Sequence, residues 1–393
     1  MTGVLYLAVR YLAFHRLKTA VLVLSLTLVF YLPAGLRVLV REGRNQLTAR
    51  AAATPLLIGA QGSPLELVLN ALYARASVPP LMEYREVEKV RETGLATPIP
   101  LYIRFRSQKD PIVGTTLDYF EFRGLRIAAG GMMARLGDCV AGAGVARRRG
   151  LATGSEVISS PESVFDITGV YPLKMRVTGV LARSDSPDDD ALFVDLKTAW
   201  LIQGLAHGHQ DLARPEAAGQ VLRREGNTIA GNASVVEFNE VTGENIGSFH
   251  FHGDPATFPI TAIVAAPRDQ KTAALLMGRY EGSGRPVQMV RPRTVIEELL
   301  STVLTVESFV VAALALAGAA ALATAALVFT LSLRLRRREI ETMERIGGSR
   351  AHVAGLILSE AVVVLGAAGA MAAALAWITG ALGPGLIRVF LVE

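Results

Sequence analysis

Four of the six histidines in this chain stand in two alternating pairs, His207-Gly-His209 and His250-Phe-His252. In an extended segment, residues two apart project from one face, so each pair could present two imidazoles to a single metal ion. No cysteine lies near either pair, and Asp211 and Asp254 are the adjacent carboxylates. The same spacing would suit a pH-sensitive surface, or polar loops with no ligand at all. A run of three acids, Asp188-Asp189-Asp190, could attract a cation, but a solvated acidic turn is the simpler expectation.

Catalytic patterns are missing. No Gly-Lys dipeptide occurs, so there is no GxxxxGK[ST] cradle for nucleotide phosphates, and no HExxH occurs either. Gly142-Ala-Gly144 lacks the third glycine of a dinucleotide loop, since Arg147 stands in its place. Tyr280-Glu-Gly-Ser-Gly-Arg resembles a nucleophile elbow only if Glu281 replaces its first glycine, which defeats the turn. The single cysteine, Cys139, cannot form an intrachain disulfide and reads as a small buried apolar residue. The chain is not expected to be an enzyme.

The elements that must position these residues divide sharply by composition. Apolar residues make up 51% of the sequence, and the mean hydropathy is +0.37. The excess is concentrated in three uncharged blocks, Thr19–Leu36, Ser308–Leu333 and Ala361–Leu382. At 1.5 Å per residue even the shortest covers about 27 Å, enough for a hydrocarbon core. Tyr31, Pro33, Arg37 and Arg41 make a poor cleavage site, so the first block reads as a retained anchor and not a signal peptide. The net charge of +5 does not point to nucleic acid, because the basic residues cluster beside the apolar blocks. Gly366, Ala370 and Ala374 share one face of the third block and would let another helix approach closely.

Orientation follows from the second block. Glu297, Glu298 and Glu307 precede it and Arg334, Arg336, Arg337 and Arg338 follow, which puts its trailing end in the cytoplasm. The N-terminus is then cytoplasmic and the large segment between the first two spans lies outside. Helical spacing of Val295, Leu299, Thr302, Val303 and Val306 extends the second span backwards, and helix-forming residues continue the first beyond Leu36 with an interruption at Gly43. Two paired extensions would make a stalk. From 51 to 294 the pattern is α+β. VFDITGV (164–170) and LKMRVTGVLAR (173–183) read as paired strands, ALFVDLKTAWLI (191–202) as a strand entering a helix, and 82–94 as helical. Gly, Ala and charge near 205–235 suggest a division into two lobes.

The segment 334–360 joins the second and third spans. Arg337, Arg338, Glu339, Glu341, Glu344 and Arg345 give a charged helical face with Ile340 and Met343 between them. Gly347-Gly348 should break that helix and Ser349 should cap the next. Here the sequence resembles the MacB/FtsX-like family of ABC transporter permeases, whose post-span signature runs R-R-x-E-I-x-x-x-R-x-x-G-A-S before an apolar helix containing a Glu. Arg337, Arg338, Glu339, Ile340, Gly347, Ser349, Arg350 and Glu360 stand at matching places, with Gly348 where the family usually has Ala. AVRYLAFHRLKTAVLVLSLTLVF resembles the family's amphipathic lead helix and first span. GAGVARRRGLATGSEV and MRVTGVLARSDSPDDDALFVDLKTAW resemble its extracytoplasmic domain.

The resemblance implies an α+β membrane protein with three transmembrane helices and a large extracytoplasmic MacB-like domain inserted between the first and second. The expected parts are a lead helix, first span and stalk (1–50), the domain (51–294), a stalk and second span (295–333), a cytoplasmic coupling segment (334–360) and a third span with tail (361–393). The thirteen residues from Ala381 are too few to cross again, so the chain reads either as an atypical three-span member or as a truncated one, the family usually having a fourth span. The implied partners are a separate cytoplasmic ABC ATPase, which supplies the ATP, and a second permease copy, identical or different. A periplasmic adaptor, lipoprotein or envelope enzyme is a further expected partner. The coupling residues would be Arg337, Arg338, Glu339, Ile340, Met343, Gly347, Gly348, Ser349 and Arg350. The implied role, in a bacterial inner membrane, is transmission of ATP-driven motion for export, lipoprotein handling or envelope remodelling. The alternative is a non-transporting regulator of a cell-wall enzyme. Metal-linked transport rests on His207, His209, His250 and His252 alone.

Overall fold

The computed structural model describes residues 2–75, 77–160, 172–209, 221–225, 228–231, 238–281, 284, 286–345 and 349–392. In chain order the elements begin with α1 (Thr2–Phe14), α2 (Arg16–Ala52), β1 (Leu56–Ala60), α3 (Pro64–Tyr73), β2 (Met82–Glu83) and α4 (Arg85–Glu92). Next come β3 (Ala96–Ser107), β4 (Asp110–Thr115), α5 (Asp118–Arg123), β5 (Ile127–Gly130), β6 (Asp138–Ala141), α6 (Ala143–Arg149) and β7 (Glu156–Ile158). They continue with β8 (Lys174–Leu181), β9 (Leu192–Asp195), α7 (Leu196–Ile202), β10 (Ala206–Gly208), β11 (Val221–Glu225), β12 (Thr228–Gly231) and β13 (Phe249–Phe251). The last are β14 (Pro259–Ile260), β15 (Ala262–Pro267), α8 (Gln270–Tyr280), β16 (Val287–Val290), α9 (Pro292–Leu335), α10 (Arg337–Arg345) and α11 (Arg350–Val392). Two compact units result, Met1–Ala49 with Glu297–Glu393, and Arg50–Ile296.

The first unit is helical. Segments of α2, α9 and α11 are the three described helices long and apolar enough to cross a membrane. α2 runs unbroken through Gly43, where an interruption was expected. One glycine in a helix costs only about 1 kcal/mol against alanine, which its neighbours outweigh. α9 extends well ahead of Ser308, as the spacing of its apolar residues anticipated. Leu26 of α2 packs with Val364 and Ala368 of α11, and Ala325 and Phe329 of α9 close on this cluster. Small residues permit the approach: a Cβ on Gly318 would stand 3.2 Å from Val29, and one on Gly380 3.4 Å from Val38. Tyr31 and Thr379 share a hydroxyl hydrogen bond of 2.9 Å. Gly366, Ala370 and Ala374 are exposed, while Ala368 and Ala372 of the same helix are buried.

The second unit is built on a ten-stranded mixed sheet of order β16-β1-β15-β3-β4-β9-β6-β8-β5, with β7 also on β8. The pairs β4–β9 and β6–β8 are parallel and the rest antiparallel. β8 shows the alternation that its sequence implies, with Met175, Val177 and Leu181 buried and Arg176 exposed. Segment 191–202 is a strand entering a helix, with Asp195 accepting from the Lys197 N–H at 2.9 Å as the N-cap. VFDITGV lies outside the described residues. One hydrophobic core includes Leu56, Tyr102, Val177, Trp200 and Ile263, so the unit is not divided into two lobes near 205–235.

Candidate functional site

The acidic turn is not solvated. Pro187–Asp190 forms a 3-10 turn in which Asp188 and Asp189 are each only 4% exposed. The expectation failed because all three carboxylates have protein partners. Arg50, in the last turn of α2, donates to both Asp188 oxygens at 2.7 and 2.8 Å and to the Tyr119 hydroxyl at 3.0 Å. Tyr119 in turn donates to Asp188 at 2.7 Å. Asp189 accepts from the Ser184 and Asp185 backbone N–H groups, each at 2.9 Å. Asp190 pairs with Arg148, which also reaches Asp110 at 3.0 Å.

Burial alone would push the Asp188 carboxyl up. The Arg50 charge, the hydrogen bonds from Arg50 and Tyr119, and the charge of Arg123 together hold it below the usual carboxylate range. Burial would lower Arg50, but Asp188 and Tyr119 hold it above its ordinary value. Tyr119 rises through burial and the Asp188 charge. Arg123 is lowered by burial and by Arg50, and its guanidinium lies 5.6 Å from the Tyr119 ring centre and 4.9 Å from that of Phe122. The Gly142-Ala-Gly144 pattern has its explanation here. A Cβ on Gly142 would fall 2.4 Å from the Asp188 carbonyl oxygen, and one on Gly144 2.8 Å from that of Asp189. The glycines let α6 approach the turn.

A second ion pair sits in the helical unit. Arg336, between α9 and α10, donates to Glu360 of α11 at 3.1 and 3.2 Å, and its guanidinium lies 3.6 Å from the Tyr11 ring centre of α1. Glu360 is 4% exposed. Thus the lead helix and the ends of two apolar helices meet at one cation. Around it, Arg337 is exposed and pairs with Glu341 at 3.1 Å, one turn on. Arg338 is exposed and Ile340 half-buried. Glu339 and Met343 lie on α10, and Arg350 is the first residue of α11. Ser349 caps α11: its hydroxyl accepts from the His352 N–H at 3.3 Å. Gly347 and Gly348 lie outside the described residues. Sequence reasoning passed over Arg50 and Tyr119 altogether and took Arg336 only as a flanking charge.

The histidines converge. β10 and β13 pair antiparallel with His207 opposite His250, which puts all four rings on one face of the ribbon. Ring centres are 4.8 Å apart for His207–His250, 5.2 Å for His209–His250, 4.6 Å for His207–His252 and 4.8 Å for His250–His252. Asp254 caps the next turn through the Ala256 N–H at 3.0 Å, and Asp211 lies outside the described residues.

Comparison with protein families matches residues 23–234, more than half the chain, to the MacB-like periplasmic core domain. The chain belongs to the MacB/FtsX-like family of ABC transporter permeases. It is thus a membrane protein with a periplasmic domain, and a transporter component rather than an enzyme. Two solved structures are similar. The periplasmic region of MacB from Actinobacillus actinomycetemcomitans shares 10% identity, covering 63% of this chain and 92% of that one, with a TM-score of 0.34. The extracellular domain of the noncanonic ABC-type transporter YknZ from Gram-positive bacteria shares 10% identity, covering 60% and 98%, with a TM-score of 0.32. Comparison with curated proteins gave no match.

Proposed function

We propose that this chain is the permease subunit of an inner-membrane ABC complex whose ATPase is a separate polypeptide. In this reading it passes ATP-driven motion from the cytoplasmic segment 334–360 to the periplasmic domain, acting with a second permease copy. The observation that carries the reading is the Arg336–Glu360 pair, with Tyr11 against the guanidinium. A push on α10 would reach α1, α9 and α11 through one half-buried cation, where a flexible linker would absorb it. The charged residues Arg337, Arg338 and Glu339 of α10 would be those that contact the ATPase. The large domain then acts on cargo, a lipoprotein or another envelope component.

The test is a complex reconstituted in vesicles with its partner ATPase, using Glu339→Lys. Distance changes within the periplasmic domain are read by paired spin labels during ATP turnover. The variant should still assemble and hydrolyse ATP, yet lose the ATP-dependent distance change. Unchanged coupled motion would sink the proposal. Capture of a cell-wall hydrolase, with no cargo moved, would favour the regulatory alternative.

A further inference from the structure

The ribbon β10–β13 has two chemically distinct faces. Ala206 is buried, Gly208 is buried, and Phe249 and Phe251 pack against the domain core. The register explains the glycine between the first two histidines: a Cβ on Gly208 would stand 2.7 Å from the Phe249 ring laid across it. Every residue of the opposite face in this stretch, His207, His209, His250 and His252, is an imidazole. Side chains that merely solvate a surface need no such uniformity. We propose that this face is a binding site for one divalent, imidazole-preferring metal ion of the zinc or copper class, held by His207, His209 and His250 with His252 beside them.

Three features support it. The ligand nitrogens of His207, His209 and His250 already lie within 4.8 Å of one another. Tetrahedral coordination with bonds near 2.0–2.1 Å needs separations of about 3.3 Å, which small side-chain rotations supply. His250 Nδ1 lies 3.1 Å from the Ser248 carbonyl oxygen. A carbonyl only accepts, so Nδ1 carries the proton, and in the neutral ring Nε2 keeps its lone pair for a metal. Among the described residues the donor set is all nitrogen, since Asp254 is engaged as a cap and the Cys139 thiol is buried elsewhere. Imidazole nitrogens suit zinc, copper and nickel, whereas magnesium and calcium require oxygen ligands. A bound ion would fasten β10 to β13 at the side-chain level, in addition to their backbone pairing.

The experiment uses the full chain in detergent, purified with a tag free of histidine and stripped by chelator. Zinc is the probe in equilibrium dialysis with metal analysis at pH 7.5, and cobalt gives a visible spectrum of the coordination. About one equivalent should bind, with a tetrahedral cobalt spectrum, and His250→Gln should weaken binding at least about 100-fold. Loss of a mere outer-shell partner already costs about 10–100-fold. His250 is exposed, so this variant should keep the wild-type unfolding temperature, which is measured alongside. His15→Gln/His352→Gln, at the two histidines outside the site, should bind as wild type. The proposal is overturned if no stoichiometric zinc binds, or if His250→Gln binds as wild type.

Discussion

Asp188→Asn tests the buried clamp at the end of α2. The Arg50 and Asp188 side chains are 9% and 5% exposed, so the substitution leaves a guanidinium buried beside a neutral amide. Breaking one side of such a pair costs about 3–5 kcal/mol, because the remaining charge has lost its compensation. At about 2–4 °C per kcal/mol for a unit of this size, the unfolding transition of Arg50–Ile296 should fall by about 10 °C. Trp200 reports on this unit, its indole N–H donating to the Pro259 carbonyl at 2.8 Å, and Trp377→Phe silences the other tryptophan. Denaturant titration in that background gives the free energy directly. Arg50→Met/Asp188→Leu, which removes both charges, should lose far less than Asp188→Asn, since apolar replacement of a buried pair is often near neutral. The pH dependence has a definite sign. The folded Asp188 pKa is held below its unfolded value of about 3.9, so its contribution is complete above that pH and is lost as pH falls through the lower, folded value. The gap between wild type and Asp188→Asn should therefore be constant from neutrality to about pH 5 and narrow below about pH 4. A loss under about 1 kcal/mol for Asp188→Asn, or a double variant as unstable as the single, would refute this account.

Gly142→Ala should destabilise the same unit by about 1–3 kcal/mol in denaturant titration, because its methyl would meet the Asp188 and Asp189 carbonyl oxygens at 2.4 and 2.5 Å. Those oxygens belong to a turn fixed by Arg50 and Ser184, so they cannot swing aside. Cys139 should resist maleimide at pH 7.5 in the folded chain and react once urea unfolds it, as mass spectrometry would read. Burial pushes its thiol up to about 12, leaving a thiolate fraction on the order of 10⁻⁴ or below.

The three apolar helices, the strand-to-helix passage at 191–202 and the capping Ser349 were legible because each depends on local pattern. The histidine convergence was half legible. Alternation within each pair was visible, but the register that sets His207 against His250 is a long-range pairing that periodicity does not encode. The acidic turn was misread for the same reason. Nothing near Asp188 in sequence announces Arg50, and a carboxylate without a visible partner is sensibly assigned to water. Gly142 and Gly144 were legible only as an incomplete dinucleotide pattern, and the folded chain alone shows that they approach the carbonyls of Asp188 and Asp189. Gly43 was given too much weight, since a lone glycine in a long helix is a small local penalty.

Arg50–Asp188 and Arg336–Glu360 share a logic that stability alone does not explain. A buried ion pair recovers little more than its own desolvation, and apolar residues of similar volume would often hold a core equally well. What the charged pair adds is direction: a forked guanidinium facing one carboxylate tolerates far less displacement than two aliphatic chains in contact. Both pairs occupy helix ends, one in the last turn of α2 and one just past the end of α9. At such places sliding would dissipate a force, and fixed geometry would convey it. Apolar replacement at 336 and 360 would then preserve folding while loosening the joint, which is the separation of effects that the transmission reading requires.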